Sequence, residues 1–311
     1  MGSKFKVLIA GIGGVGGYFG GLLAKHYENN TEVEINFLAR GKHLEAIQAN
    51  GLKVIHAGSE FIARPTITSN NSKDFGLVDL LIIATKSYDL DSVLEQLKPC
   101  IQANTIIMPL LNGVDSREKI QKAYPNSQVL DACVYIVSRL KENGVIENSG
   151  NIQSLFFGLE NTNRQQLSHI EKLLKAASIQ ATLSTDIQKT IWEKFIFLSP
   201  IATATSYFDK CIGELLEDSN CLGNIIDLIS EVSAIANAKG IILPENCTEL
   251  TLSKLKSLPY HTTSSMHTDY KNRKVNTEIK TITEYVILEG EKNNILTPTY
   301  NLMYKAISSK Y

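Results

Sequence analysis

Apolar residues fall in two rhythms along this chain. Up to about residue 185, short apolar runs alternate with stretches of helical spacing. Residues 6–10 read KVLIA and predict a strand, and residues 18–27 carry the apolar face of a helix. Residues 33–38 predict a second strand, and residues 44–50 a short helix closed by Gly51. Residues 77–85, LVDLLIIAT, and residues 105–109 read as strands buried on both faces, with a helix over 90–97 stopped by Pro99 between them. Residues 129–138 and 154–158 are strand candidates on either side of a polar, Gly-containing turn, and residues 165–177 form an amphipathic helix. Such alternation predicts an open, largely parallel sheet with helices on its faces.

Beyond residue 186 the strand rhythm stops. Residues 191–198 and 224–239 have helical spacing, with Ile225, Leu228, Ile229, Val232, Ile235 and Ala236 on one broad stripe and Gly240 placed as a C-cap. Residues 276–292 predict another long helix, and Pro298 opens a last one. The fold class is therefore an α/β Rossmann-type N-terminal domain followed by an all-helical C-terminal domain. The boundary falls near residue 185, giving a dinucleotide-binding domain over 1–185 and a helical substrate and catalytic domain over 186–311. A cleft at their junction is the expected place for a substrate.

The dinucleotide assignment rests on the residues just past the first strand. Gly11-Ile12-Gly13-Gly14-Val15-Gly16 is a G-x-G-x-x-G pattern between a strand and a helix, the context that the fingerprint requires. Gly11 permits the tight turn, Gly13 lets the backbone approach a pyrophosphate, and Gly16 lets helix and strand pack. The N–H groups and positive end of the helix would hold the anion.

Composition narrows the classes. The chain has 311 residues, 43% hydrophobic and 20% charged, and a formal charge of -1. That balance, with no basic run, argues against nucleic acid as a partner. The five cysteines, at positions 100, 133, 211, 221 and 247, form no C-x-x-C, and the six histidines form no H-E-x-x-H, so no metal site is expected. Scattered thiols point to a reducing, cytoplasmic location. No uninterrupted 18-residue apolar run suggests a membrane span.

The end of the second strand bears on cofactor choice. An NAD site usually carries an acid there, on the ribose 2′-OH. Here the acids Glu32 and Glu34 come early, and the end carries Arg40, with Lys42 and His43 behind it. Arg40 suits a 2′-phosphate through paired, charge-assisted hydrogen bonds, which favours NADP(H). If the strand ends early, Glu34 could reach the ribose instead.

Four more segments carry candidate chemistry. Ala84-Thr85-Lys86 follows the third buried strand, and Leu111-Asn112-Gly113 follows the next. Trp192-Glu193-Lys194 opens the helical half, and Asn276-Thr277-Glu278-Ile279 opens the late helix. Together with GIGGVG at 11–16 and Ser264-Ser265-Met266, these segments resemble the ketopantoate reductase (2-dehydropantoate 2-reductase) family, in order and across nearly the whole chain.

The resemblance implies NADPH-dependent reduction of a 2-oxo acid to a 2-hydroxy acid; for 2-dehydropantoate the product is pantoate, used toward coenzyme A. It makes Lys194 the catalytic lysine, Glu278 the active-site glutamate, and Asn112 the asparagine near nicotinamide and substrate. Arg40 and Lys86 become cofactor residues, Ser265 a substrate contact, and Asp269 falls near a further acidic position. A small-molecule 2-oxo acid is the implied partner, and a homodimer is compatible with the family. Lys194 would neutralise the developing oxyanion and donate the proton, helped by apolar surroundings from Trp192, Phe195 and Phe197. Three departures weaken the substrate assignment. Leu198 and Ala202 stand where the family often has asparagines, and Thr262 replaces a third. Ser199 or Thr203 could compensate only from a different helix phase. A related dehydrogenase for another oxo or sugar acid, and a non-enzymatic NADP-binding regulator, are the alternatives.

Overall fold

The computed structural model describes residues 4–160 and 164–310. The chain divides into two compact units, residues 1–111 with 115–187, and residues 112–114 with 188–311.

The first unit is built on β1 (Phe5–Ala10), α1 (Gly14–His26), β2 (Val33–Leu38), α2 (Gly41–Asn50), β3 (Leu52–His56), β4 (Ser59–Ala63) and β5 (Ile67–Ser69). It continues through β6 (Leu80–Ile83), α3 (Leu90–Leu97), β7 (Ile106–Pro109), α4 (Ser116–Ala123), β8 (Gln128–Val129), β9 (Asp131–Glu142), β10 (Val145–Gly158), α5 (Arg164–Ala176) and β11 (Gln180–Leu183). Six strands form a parallel sheet in the order β5-β2-β1-β6-β7-β8. Strand β1 is buried on both faces: Val7 and Ile9 enter one core, Leu8 and Ala10 the other. Its neighbours are β2 and β6, in register at Ala10↔Leu38 and Ala10↔Ile83. The chain therefore leaves β1 toward opposite sides of the sheet, which makes the carboxyl end of β1 a topological switch point.

A second sheet corrects the expectation of one. Strands β11-β10-β3-β4 form a mixed sheet, to which β9 adds by pairing antiparallel with β10. Strand β9 falls close to the strand expected over 129–138, whereas β10 is much longer than the one expected over 154–158. The β3–β4 hairpin is not foreshadowed by the apolar pattern. Its two-residue loop is Ala57-Gly58, both at positive φ, 48° and 78°. That is the twist-matched hairpin geometry, but alanine is an unusual occupant and gives little signal.

Helix α1 lies between the two sheets, which accounts for glycines beyond the fingerprint. A Cβ at Gly17 would come 2.6 Å from Ile146, and one at Gly14 would collide with the backbone carbonyl of Ser138. The Ser138 hydroxyl donates to the Gly14 carbonyl at 2.9 Å, fixing the hairpin against the start of the helix.

The second unit is helical throughout its described residues: α6 (Ile187–Phe208), α7 (Ile212–Glu217), α8 (Ser219–Ala238), α9 (Cys247–Lys256), α10 (Ser265–Lys271), α11 (Tyr285–Lys292) and α12 (Pro298–Lys310). The stripe expected on α8 is its core face, with Ile225, Leu228, Ile229, Val232, Ile235 and Ala236 all buried. Gly240 follows the helix at φ 79°; its N–H bonds Asn237 O and that of Ile241 bonds Ala236 O, closing a Schellman motif. By length and hydropathy α8 could cross a membrane, but Asp227 and Glu231 interrupt it. Glu231 is buried and accepts from the N–H groups of Thr299 and Tyr300, satisfying the start of α12.

The late helix also differs from its expected bounds. It begins at Ile279 rather than Asn276, and its first turn, Lys280–Glu284, is π-helical before α11. Ser199 of α6 donates to the Ile282 carbonyl at 2.8 Å, and Thr203 is bonded to Thr283 at 2.9 Å. The first supplies a side-chain donor to a backbone carbonyl of the π turn, and the second ties its side chains to α6.

Candidate active site

The turn after β1 has the features that a dinucleotide needs. Gly11 takes φ 93°, and a Cβ there would strike Thr85 and Ala84. Gly13 faces open space, with nothing within 4 Å of a Cβ position. Gly16 packs on the Gly11 carbonyl. Helix α1 starts at Gly14 with no side-chain cap, so its first N–H groups remain for an anion. One buried polar atom beside this turn, Thr85 Oγ1, has no hydrogen-bond partner among the described residues. Open space, an unpartnered hydroxyl and a bare helix start together fit a bound dinucleotide.

His43 is a sterically committed residue rather than a loose helper of Arg40. Its Nδ1 accepts from the Gly144 N–H at 2.9 Å, so the neutral ring carries its proton on Nε2, close to the Ile12 backbone. Burial pushes its pKa down, partly opposed by that Ile12 contact. The ring thereby ties α2, the β9–β10 turn and the glycine turn together.

Arg40 lies at the end of β2 as expected and forms the N-cap position of α2. Its guanidinium is not idle: it pairs with Asp89 at 2.8 Å. Glu34 sits near the start of β2 and accepts from Asn36 Nδ2 at 2.9 Å. Lys86 follows β6 and precedes a 3₁₀ turn, Ser87–Asp89. Gly11, Arg40 and Lys86 thus follow the carboxyl ends of three adjacent strands.

Two chemical candidates far apart in sequence meet in the second unit. Asn112, though it follows β7, clusters with the helical unit, and Lys194 Nζ donates to its Oδ1 at 3.1 Å. Both side chains are half-buried. On α6 the companions of Lys194 one turn away are Phe197 and Leu198, also half-buried. Trp192 and Phe195 do not surround the ammonium group. They point into the core and pack edge-to-face with each other, and Phe195 does so again with Tyr285.

Glu278 is 2% exposed. It lies two positions before the π turn, and its carbonyl accepts from the Ile282 N–H at 3.0 Å. Such burial sets it apart from an ordinary solvated carboxylate at a helix start. Ile279 packs beside it on a small cluster of Ala202, Met266, Tyr270, Ile282 and Ile307. Ser265 is exposed at the first turn of α10. Its neighbour Ser264 is the buried one, capping α10 through His267 N–H and bonding Thr205. Asp269 is buried and paired with Lys274 at 2.7 Å. Ser199 and Thr203 spend their hydroxyls on the π turn, so neither replaces an amide at Leu198 or Ala202.

Sequence reasoning missed Asp89 and the fixed role of His43. It also missed a clamp beside Ser265: His267, buried, bonds Asp209 at 2.7 Å and Thr263 at 2.5 Å. Apart from the Thr263 bond, four positions away, none of these has a local signal, since the other partners are supplied by distant segments.

Comparison with known proteins agrees with this layout. The family model for ketopantoate reductase PanE/ApbA matches residues 7–161, and that for the ketopantoate reductase PanE/ApbA C terminal matches residues 186–310. An uncharacterized oxidoreductase, YkpB, of Bacillus subtilis is 29% identical over 96% of both chains. A 2-dehydropantoate 2-reductase of Streptococcus pyogenes is 27% identical, over 98% of this chain and 97% of its own. The crystal structure of 2-dehydropantoate 2-reductase from Porphyromonas gingivalis W83 superposes with a TM-score of 0.86 at 33% identity, covering 98% of this chain and all of that one. With both domain models matched in order over the two units, the chain belongs to the ketopantoate reductase family of oxidoreductases.

Proposed function

We propose that this protein is an NADPH-dependent reductase of a 2-oxo acid, with 2-dehydropantoate as the substrate and pantoate as the product. The observation that carries the reading is the Lys194–Asn112 hydrogen bond, which links the candidate acid to the loop after β7. The names of the S. pyogenes and P. gingivalis relatives support the substrate.

When bound, NADPH supplies the hydride that adds to the C2 carbonyl carbon of the substrate. The chain's own residues do the rest. The N–H groups at the start of α1 hold the pyrophosphate, Arg40 takes the 2′-phosphate, and Lys86 adds positive charge at the same sheet edge. Lys194 meets the carbonyl oxygen as charge develops on it and passes it a proton. Asn112 orients the ammonium group through Oδ1, and its Nδ2 amide can donate to the substrate. Glu278, held in a buried position, orients the substrate against Lys194, and Ser265 contributes a hydroxyl contact. The half-buried Phe197 and Leu198 lower the local polarity, which strengthens each charged contact.

The test is an assay of the purified protein with NADPH and a panel of 2-oxo acids. Formation of pantoate from 2-dehydropantoate supports the full reading. Robust turnover of another oxo acid without activity on 2-dehydropantoate keeps the reductase and rejects the substrate. Tight NADPH binding with no turnover of any acid rejects the enzyme.

A further inference from the structure

The paired guanidinium of Arg40 changes what cofactor selection requires. Arg40 follows β2, and Asp89 ends the 3₁₀ turn after β6. Strand β1 lies between those two strands. The 2.8 Å ion pair therefore reaches from one neighbour of β1 to the other, at the edge where the glycine turn begins. Asp89 is held in place by its own backbone: its N–H donates to Lys86 O at 3.0 Å, and its carbonyl accepts from Ser92 Oγ at 2.9 Å. Its carboxylate makes no cap bond to α3 and is directed to Arg40 instead.

We propose that Asp89 is a second, specificity-determining residue for the cofactor, acting against Arg40. The inference rests on the reading of Arg40 as the 2′-phosphate ligand. Arg40 meets Asp89 through Nη2 alone, so part of its donor fork is already spent on a carboxylate when a cofactor arrives. A 2′-phosphate must therefore share the guanidinium with the Asp89 carboxylate or displace it, and in either case sits near it, dianion against anion. NADH bears a neutral 2′-hydroxyl and meets neither cost. A carboxylate at this edge can accept from that hydroxyl, the job that an acid at the end of β2 does in NAD sites. The acid absent from the end of β2 is thus supplied from β6, and the preference for NADPH is narrower than an unpaired Arg40 would give.

Equilibrium binding of NADPH and NADH to the full-length protein tests this, with wild type, Asp89→Asn, Arg40→Ala and the double variant. Asparagine keeps the size and removes the charge, and an exposed ion pair contributes little to stability, so the fold is retained. Asp89→Asn should tighten NADPH by about tenfold at low ionic strength, less at high salt, as expected for a like-charge contact near the surface. NADH should bind unchanged or more weakly. In the Arg40→Ala background the gain should shrink, as a double-mutant cycle for competing groups requires. An unchanged NADPH-to-NADH ratio in Asp89→Asn, while Arg40→Ala collapses that ratio, overturns the role of Asp89 and keeps Arg40. Weaker NADPH binding in Asp89→Asn also overturns it, since Asp89 would then be aiding Arg40. A ratio indifferent to Arg40→Ala overturns the phosphate assignment itself.

Discussion

Lys194 Nζ and Asn112 Oδ1 are 3.1 Å apart, although 82 positions separate the residues in the chain. One lies on the first helix of the helical unit, the other in a loop that leaves the parallel sheet and clusters with that unit. The bond holds the ammonium group by an acceptor that cannot take its proton. Lys194→Ala should lower turnover by about 10² to 10⁴, the usual cost of removing a general acid, with NADPH affinity retained. Asn112→Ala should cost less, about tenfold to a hundredfold in kcat/KM, as for one hydrogen bond to a charged group. Steady-state kinetics beside direct NADPH titration separates the two effects, and near-native turnover in Lys194→Ala removes the lysine from the chemistry.

Glu278 is buried at the head of a π turn whose carbonyls and hydroxyls are pinned by α6. Glu278→Gln keeps the shape and removes the charge. It should reduce kcat/KM for the oxo acid while NADPH binding and the thermal midpoint stay near wild type. If the main consequence is a loss of stability with normal kinetics, the carboxylate is structural.

Gly14→Ala should fail through packing rather than through the cofactor. The added methyl meets the Ser138 backbone carbonyl, which the β9–β10 hairpin cannot easily withdraw. Overpacking of this kind costs about 1–3 kcal/mol, to be read from chemical unfolding of the ligand-free protein. Gly13→Ala has open space at the same turn and should keep its stability while losing NADPH affinity. Equal stability losses in both variants would contradict this division.

Depressed pKa values define two pH windows. Asp209 is held below the usual carboxylate range by its His267 hydrogen bond, Glu171 by Lys175 and the Leu183 N–H, and Glu214 by the Cys211 N–H. A carboxyl with a depressed folded pKa adds stability above its unfolded value, about 4, and loses it as pH falls through the folded value. Stability should therefore drop below about pH 4. His43 obeys the same sign: its folded pKa lies below the ordinary histidine value, so the folded state begins to lose ground as pH falls below about 6.5. Protonation of Nδ1 also removes the acceptor of the Gly144 N–H. Unfolding midpoints in wild type and His43→Gln between neutral and mildly acid pH check this, and identical slopes in both proteins would count against a titrating His43.

Much of this protein is legible in one dimension. The bounds of β2 and α3 coincide with the apolar runs that predict them, because a strand buried on both faces and a helix with one apolar face each write their own period into the chain. The glycine turn, the apolar stripe of α8 and the start of α12 at Pro298 are local for the same reason. The second sheet is not, because its strands are half-exposed and joined across distant segments, and the Ala57-Gly58 turn lacks the usual residues. Nor is the π turn, since the hydroxyls that hold it come from α6, some eighty positions earlier. Arg40 is the sharpest case. Its charge and its place at the end of β2 are written in the sequence, and they favour a phosphate ligand. That an aspartate from the turn after β6 answers it across β1 depends on strand order, which no local period encodes. Residue type and spacing determine which groups the chain carries; only the packing of its strands and helices decides which of those groups meet.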